Sequence, residues 1–154
     1  MRIMAIDYGD AHTGIAISDP TGLLAGFTTV INSRRQEVVV EQVTLLAKEH
    51  GAEELVLGHP VNMDGTLGPR SEKAKAMKVL LEEATALPVV LWDERRTTVS
   101  AAAILADNDT FGAKRKERLD SVSAAVILES FLNWRAHHPD EEPPEMLRPQ
   151  PAEV

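Results

Sequence analysis

The chain opens with Met1-Arg-Ile-Met-Ala-Ile-Asp-Tyr-Gly-Asp10, and this stretch decides how the rest of the sequence is interpreted. A short apolar run ends at Asp7, and Gly9 follows two residues later. The run is too short and too early for a helix, so residues 2–8 are predicted to form a strand. A carboxylate at the end of a buried strand is costly unless a positive group satisfies it. Asp7 is therefore either a metal ligand or an aspartate that bonds the amides of its own turn.

Composition fits one globular domain with an acidic extension. The chain has 154 residues, of which 44% are hydrophobic and 26% are charged. No apolar run approaches the roughly 18 residues of a membrane span, and the first residues lack a signal-peptide pattern. The absence of cysteine excludes disulfides and thiolate metal sites, and it is compatible with the cytoplasm.

The net charge of −8 argues at face value against a polyanionic partner. Residues 139–154, however, carry five acidic residues and one basic residue, and without them the balance is −4. This Pro-rich, acidic segment lacks an apolar period and is predicted to be a disordered tail. Residues 1–138 then form the folded domain.

The first strand is followed by two more on short turns. Apolar patterns predict strands over residues 13–19 and 23–31. Because parallel pairing requires a longer crossover, the three strands are expected to form an antiparallel meander. After Asn32-Ser33, a candidate N-cap pair, the period becomes helical and ends at His50-Gly51. The stripe of that helix consists of Val38, Val39, Gln42, Leu45, Leu46 and Glu49.

Strands then alternate with helices. Short buried strands are predicted over residues 54–58 and 88–92, with a turn-rich loop over residues 59–68 between the first of them and a helix that starts near Pro69. Two further helices are predicted, over residues 98–106 and 117–137, with a polar loop between them. Strands separated by helices favour parallel pairing. The predicted fold is α/β, with a mixed five-stranded sheet (an antiparallel meander, then parallel strands) flanked by helices.

Acidic residues recur where the predicted parallel strands end. Asp7 ends the first strand, and Asp93-Glu94 end the fifth, so they are expected near one edge of the sheet. Asp93 and Glu94 point to opposite faces, and at most one is expected to aim at Asp7. The pattern alone leaves that choice open. The same residues, together with Arg95-Arg96, are also compatible with an exposed run of charges.

A further carboxylate begins the seam of the final helix. Asp120 is followed at steps of four and three by the apolar residues Ala124, Ile127, Phe131 and Trp134. An unpaired carboxylate on this buried face would be expensive or protonated. Asp120 is therefore either a ligand beside Asp7 or an early helix residue favoured by the macrodipole. Oxygen ligands suit Mg²⁺ or Mn²⁺, and two such ions about 4 Å apart support phosphodiester hydrolysis.

These residues resemble the YqgF/RuvX family, Holliday-junction-resolvase-like proteins that are also described as pre-16S rRNA nucleases. The matching motifs span residues 5 to 128, and His59 stands where a leucine is more usual. They are Ala5-Ile-Asp-Tyr-Gly9 with Thr13-Gly-Ile-Ala16, Gly58-His-Pro-Val-Asn-Met-Asp-Gly-Thr66, Asp93-Glu-Arg-Arg-Thr-Thr98, and Arg115-Lys-Glu-Arg-Leu-Asp-Ser-Val-Ser-Ala-Ala-Val-Ile-Leu128. The resemblance implies an RNase H-like fold and metal-dependent cleavage of nucleic acid. It assigns the catalytic, metal-binding triad to Asp7, Glu94 and Asp120.

The resemblance also implies partners and a place of work. It suggests cytoplasmic maturation of the 5′ end of pre-16S rRNA, with the Holliday junction as the other substrate. Symmetric cutting of a four-way junction would require two active sites and hence a homodimer, whereas trimming of RNA would not. The alternative class is a non-catalytic nucleic-acid-binding ribosome-assembly factor that retains the fold. A nucleotide hydrolase is disfavoured: Asp-x-Gly also opens actin-like ATPases, but those folds normally use two such domains and this chain is long enough for only one.

A nucleic acid would have to be held by local positive charge. The predicted contacts are Lys114, Arg115, Lys116 and Arg118, just before Asp120, and Arg95, just after Glu94. Arg70, Lys73 and Lys78 form one side of the second helix, where the alternative is a solvated face. Aromatic residues are scarce, so recognition of the backbone is expected rather than stacking on bases.

Overall fold

The computed structural model describes residues 1–22, 24–60, 68–94 and 112–141, and the side chains of the last segment from residue 122 onward. These residues form one five-stranded sheet with helices on both faces. The strands are β1 (Ile3–Asp7), β2 (His12–Ser18), β3 (Ala25–Asn32), β4 (Glu54–His59) and β5 (Val89–Asp93). The helices are α1 (Gln36–His50), α2 (Pro69–Thr85) and α3 (Gly112–His137).

The sheet has the predicted mixed topology, with strand order β3-β2-β1-β4-β5. The first three strands pair antiparallel, whereas β4 pairs parallel with both β1 and β5. Ile6 lies opposite Ile15 on one side and Leu57 on the other. Because β1 and β4 are central and covered on both faces, their sequences are continuous apolar runs rather than alternating ones. The carboxyl ends of β1, β4 and β5 therefore meet at one edge.

Side-chain alternation along the strands separates two apolar clusters. Met4, Ile6, Leu55 and Leu57 belong to the cluster covered by α1 and α2. Residues of opposite parity belong to the cluster covered by α3, and they include Ile3, Ala5, Val56, Val90 and Trp92. Each functional side chain can thus be assigned to one face of the sheet from its position in its strand.

Helix α3 runs antiparallel to β4 across the second face. Near its end, Arg135 donates to both carboxylate oxygens of Glu54, at the start of β4, over 3.1 Å. Eight residues earlier, Ile127 packs over Gly58, near the end of β4. Eight helical residues rise about 12 Å, and four strand residues rise about 13 Å, so the two elements match in length. The amino-terminal part of α3 consequently continues toward the carboxyl edge of the sheet.

The structure corrects two boundaries. Helix α3 begins at Gly112, so the predicted polar loop is wrong over residues 112–116, where the charged residues are good helix formers. The N-cap of α1 is Arg35, not Asn32 or Ser33. Asn32 is instead the last residue of β3, and its Oδ1 lies 2.6 Å from Nδ1 of His12.

Other predictions fall on residues that the structure does not describe. The predicted helix over residues 98–106 lies there, and so do residues 142–154 of the predicted tail. The division of the chain at residue 138 therefore stays a prediction. Within the described ranges, no helix combines the length and apolar character that a bilayer crossing requires.

Candidate active site at the carboxyl edge of the sheet

Asp7 ends β1 between two strands that have no side chain at its level. It is half-buried, and its parity with Ile3 and Ala5 puts it on the α3 face. In β2 its partner is Gly14. In β4 the corresponding residue is Gly58, because the register pairs Ile6 with Leu57. Neither neighbouring strand therefore places a side chain of its own beside Asp7 in this row of the sheet.

A tight turn fixes the backbone just after Asp7. A Cβ on Gly9 would collide with the carbonyl oxygen of His12. Only glycine allows the chain to come this close to itself before it returns as β2. The turn holds the end of β1 in place, and it leaves Asp10 exposed on the neighbouring surface.

Glu94 follows β5 and shares the α3 face with Asp7. A Cβ on Gly58 would stand 3.0 Å from Oε2 of Glu94 and 2.8 Å from Cδ1 of Ile127. The Glu94 carboxylate thus lies over β4, in the space that Gly58 leaves open beneath α3. Because Gly58 pairs with Trp92, Glu94 lies two residues beyond the row of Asp7. With β4 between the two strands, the Asp7 and Glu94 backbones are about 12 Å apart. The structure thereby brings the two carboxylates to the same face, on either side of Gly58.

Asp93 lies on the other face. It is buried, with 5% of its surface exposed, and its parity with Val89 and Leu91 puts it on the side of α1 and α2. In the register it pairs with His59 of β4. Alternation along β5 thus puts Glu94, and not Asp93, on the same face as Asp7, whereas the role of Glu94 as a ligand stays a prediction.

The electrostatic environment of Glu94 suits a bound cation. Burial raises the pKa of Glu94, while Arg70 and His59 lower it by less and Asp93 adds to the rise. Burial therefore disfavours the ionised form of this carboxylate, and a cation close to it would favour that form. A carboxylate pair without cysteine is a donor set that fits Mg²⁺ or Mn²⁺.

The third predicted ligand is only partly located. Asp120 lies in α3, one turn before the buried Ala124, and its side chain is outside the described residues. Among the side chains that the structure does describe, no three acidic, histidine or cysteine groups are grouped to hold an ion. The structure thus brings Asp7 and Glu94 to one face of the sheet, and the ligand roles of Asp7, Glu94 and Asp120 stay predictions.

The same limit applies to the predicted nucleic-acid contacts. Lys114, Arg115, Lys116 and Arg118 belong to the first two turns of α3, and their side chains are outside the described residues. Arg95 is outside them entirely. These contacts stay predictions.

Sequence reasoning missed a cleft on the α2 side of this edge. The cleft has a volume of about 90 Å³ and lies between the β1–β2 turn and α2. Its lining consists of Tyr8, Gly9, Asp10, Gly58, Pro60, Arg70, Lys73 and Ala74. Across it, Nζ of Lys73 donates to Oδ1 of Asp10 over 3.1 Å. The spacing of Arg70 and Lys73, one helical turn apart, was the available signal.

The end of β4 is tied to α2 beside this cleft. His59 was predicted to begin a turn-rich loop, but it is the last residue of β4 and is buried. Its Nε2 lies 2.6 Å from Oγ of Ser71, in the first turn of α2. The hydrogen bond fixes α2, and with it Arg70 and Lys73, against the sheet.

Comparisons with known proteins agree with this architecture. The family model described as "RuvX: Holliday junction resolvase" matches residues 1–134. A protein of Halothermothrix orenii named "Putative pre-16S rRNA nuclease" is 42% identical over 135 residues, which cover 88% of this chain and 96% of that protein. A Listeria monocytogenes protein of the same name is 44% identical over 135 residues, which cover 86% of this chain and 98% of that protein.

Among solved structures, Thermus thermophilus RuvC in complex with a Holliday junction substrate matches with a TM-score of 0.61. That match covers 93% of this chain and 99% of RuvC, at 13% sequence identity, so it bears on the fold alone. It agrees with the RNase H-like architecture expected from the sequence motifs. By its sequence, from residue 1 to residue 134, this chain belongs to the RuvX family.

Proposed function

We propose that the protein is a divalent-metal-dependent nuclease that hydrolyses phosphodiester bonds of structured nucleic acid. The observation that carries the proposal is the pair of carboxylates, Asp7 and Glu94, on one face of the sheet on either side of Gly58. The family description and the names of the relatives support nucleic acid as the substrate class. We further propose 5′-end processing of pre-16S rRNA in the cytoplasm as its main task, and the Holliday junction as a second substrate.

Asp7, Glu94 and Asp120 are the residues that would hold the metal, as two Mg²⁺ or Mn²⁺ ions. The path of α3 supports the inclusion of Asp120. Since Ile127 packs over Gly58 and the helix runs antiparallel to β4, residue 120 lies about 10 Å further along the helix axis, toward the carboxyl edge. Helical periodicity gives position 120 the same seam as the buried residues Ala124 and Phe131.

The bound ions would supply charge stabilisation to the reacting phosphate and an activated water molecule. The protein's own contribution is positional. Gly14 and Gly58 leave room beside Asp7, and the packing of α3 limits access of solvent to Glu94. Lys114, Arg115, Lys116, Arg118 and Arg95 are proposed to hold the substrate backbone near the carboxylates.

A cleavage assay on two substrates tests the proposal. Purified wild-type protein and Asp7→Asn are incubated with an end-labelled four-way DNA junction and an end-labelled pre-16S rRNA fragment, with Mg²⁺, with Mn²⁺, or with excess EDTA. We expect metal-dependent cleavage of the RNA by the wild type alone, and a second, weaker activity on the junction. Full activity in EDTA, or in Asp7→Asn, contradicts the proposed function.

The same assay separates the alternative class. A non-catalytic ribosome-assembly factor would bind either substrate and cleave neither with any divalent metal. Symmetric nicks on the junction would indicate two active sites and hence a homodimer. Cleavage at one end of the RNA would indicate trimming.

A further inference from the structure

The cleft on the α2 side contains two cationic side chains, Arg70 and Lys73, and shares Gly58 with the candidate active site. Arg70 and Lys73 lie one turn apart at the start of α2 and face the turn that follows Asp7. Gly58 contributes to the cleft while its other face lies against Glu94. A nucleic-acid strand that passes Asp7 and Glu94 can therefore also reach the cleft across the carboxyl edge of the sheet.

The Asp10 carboxylate is the anionic group that Lys73 contacts in this cleft. Its Oδ1 accepts from Nζ of Lys73 over 3.1 Å, and both side chains are largely exposed, at 77% and 59%. The hydrogen bond and charge of Lys73 lower the pKa of Asp10, and Arg70 and Arg34 lower it further. One exposed carboxylate is thus bound by Lys73, and Arg70 and Arg34 add smaller favourable electrostatic effects. An ion pair as exposed as this one adds little stability, so another anion can replace the carboxylate readily.

The carboxylate and a phosphate offer Lys73 the same chemistry. Each presents anionic oxygens to an ammonium group that has three donors. A phosphate that also contacts Arg70 gains a fork of planar donors, whereas the described contacts of Asp10 include only Lys73. A phosphodiester is therefore favoured over Asp10 once a nucleic acid is held nearby.

We propose that Arg70 and Lys73 form a binding site for a backbone phosphate of the nucleic acid, and that Asp10 occupies Lys73 until the phosphate displaces it. The inference rests on the proposed function for the identity of the ligand, and it adds a second contact region on the opposite face of the sheet from Glu94. Lys78 serves as a contrast, because it pairs with Glu82 of its own helix over 2.9 Å and does not line the cleft.

Binding measured without cleavage tests this site. Fluorescence anisotropy in EDTA, with a labelled four-way DNA junction and a labelled pre-16S rRNA fragment, compares the wild type with Lys73→Gln, Arg70→Gln, Asp10→Asn and the control Lys78→Gln. We expect about fivefold weaker binding for the first two variants and about threefold tighter binding for Asp10→Asn. The dependence of log Kd on log salt should flatten by about 0.9 per lost phosphate contact for duplex DNA.

A double mutant separates displacement from a general change of charge. If Asp10 competes for Lys73, the gain from Asp10→Asn disappears in the Lys73→Gln background. An equal gain in affinity from Asp10→Asn in both backgrounds overturns the competition between Asp10 and the phosphate. If Lys73→Gln and Arg70→Gln bind nucleic acid as tightly as Lys78→Gln does, the phosphate site is overturned. A third outcome is that these two variants bind nucleic acid more weakly but the wild type cleaves neither substrate. That outcome contradicts the proposed nuclease and supports the phosphate-binding site.

Discussion

The Glu94 carboxylate lies in the space that a side chain on Gly58 would occupy, with Oε2 only 3.0 Å from the position of that missing Cβ. Glu94 follows an edge strand, two strands away from Asp7. A residue with any side chain at position 58 would stand between the two carboxylates. Gly58 thus connects the packing beneath α3 with the geometry of the candidate metal site.

Replacement of Gly58 by alanine should affect stability and cleavage separately. In Gly58→Ala the new methyl would press on Cδ1 of Ile127 and on Glu94, and we expect the free energy of unfolding to fall by about 2 kcal/mol. Cleavage should fall as well, because the carboxylate must move. Chemical denaturation and the cleavage assay measure the two effects.

The double variant Gly58→Ala/Ile127→Val is the control for this experiment. Valine lacks the Cδ1 atom that lies 2.8 Å from the added Cβ, so stability should return toward that of Ile127→Val alone. Cleavage should stay reduced, since the contact with Glu94 persists. A double variant that recovers activity in step with stability would show that Glu94 was never displaced.

The neighbouring acids Asp93, which ends β5, and Glu94, which follows it, should differ sharply in their effect on cleavage. Glu94→Gln removes a proposed ligand, and we expect at least about a hundredfold loss of rate with unchanged binding of nucleic acid in EDTA. Asp93→Asn changes the opposite face and should keep most of the activity, at some loss of stability because Asp93 is buried. Single-turnover cleavage and anisotropy provide the comparison. Equal losses in both variants would contradict the assignment by alternation.

The ion pair between α3 and β4 predicts a dependence of stability on pH. Burial raises the pKa of Glu54 above its ordinary value of 4.5, and Arg135 lowers it by less. The folded protein therefore binds this proton more tightly than the unfolded chain does. The stabilisation from the protonated Glu54 side chain is complete below about pH 4.5 and is lost as the pH rises through the folded-state pKa. Denaturation from pH 4 to 7 should show Glu54→Gln gaining on the wild type over this window.

Arg135→Met provides the complementary test of the same pair. It leaves the buried Glu54 carboxylate without its partner, and the expected cost at pH 7 is about 2 kcal/mol, between the values for exposed and fully buried pairs. Methionine keeps apolar contact with Phe131, whose ring centre lies 5.1 Å from the guanidinium carbon. The cost should shrink at pH 4, where Glu54 is protonated. A cost that does not vary with pH would point to packing as the cause.

The end of α2 offers a stabilising substitution. Ala86 has a φ of 59°, in the left-handed region, and it is exposed. A Cβ is unfavourable in this conformation, whereas glycine adopts it freely. Ala86→Gly should raise the free energy of unfolding by about 1 kcal/mol and leave cleavage unchanged. Thermal denaturation checks the first expectation, and a lower melting temperature would refute it.

The topology was predictable because it depends on apolar period and connection length. Three strands on short turns, followed by strands separated by helices, gave the antiparallel and parallel halves that the sheet shows. Helix faces were less predictable. Leu45 belongs to the apolar stripe predicted for α1 but is 52% exposed, while the buried positions are Val39, Val43 and Ala47. Small apolar residues at steps of four give a weak sequence signal, and only the packed sheet decides between adjacent faces.

The candidate site was predictable as far as its acids, but not as far as their surroundings. Pattern placed Asp7 and Asp93-Glu94 at one sheet edge, and alternation in the folded strand was needed to select Glu94. The partnership of Lys73 and Asp10 joins residues 63 positions apart. It depends on how α2 docks against the β1–β2 turn, which no local pattern encodes.

The tie between His59 and Ser71 has a consequence for how this scaffold can change. Helix α2 carries Arg70 and Lys73 on one face of the sheet, while Asp7 and Glu94 lie on the other. The hydrogen bond between His59 and Ser71 docks α2 against the sheet, and Arg70 of the same helix lowers the pKa of Glu94. A change in how α2 is seated would therefore reach both the cleft and Glu94 at once, although they lie on opposite faces of the sheet.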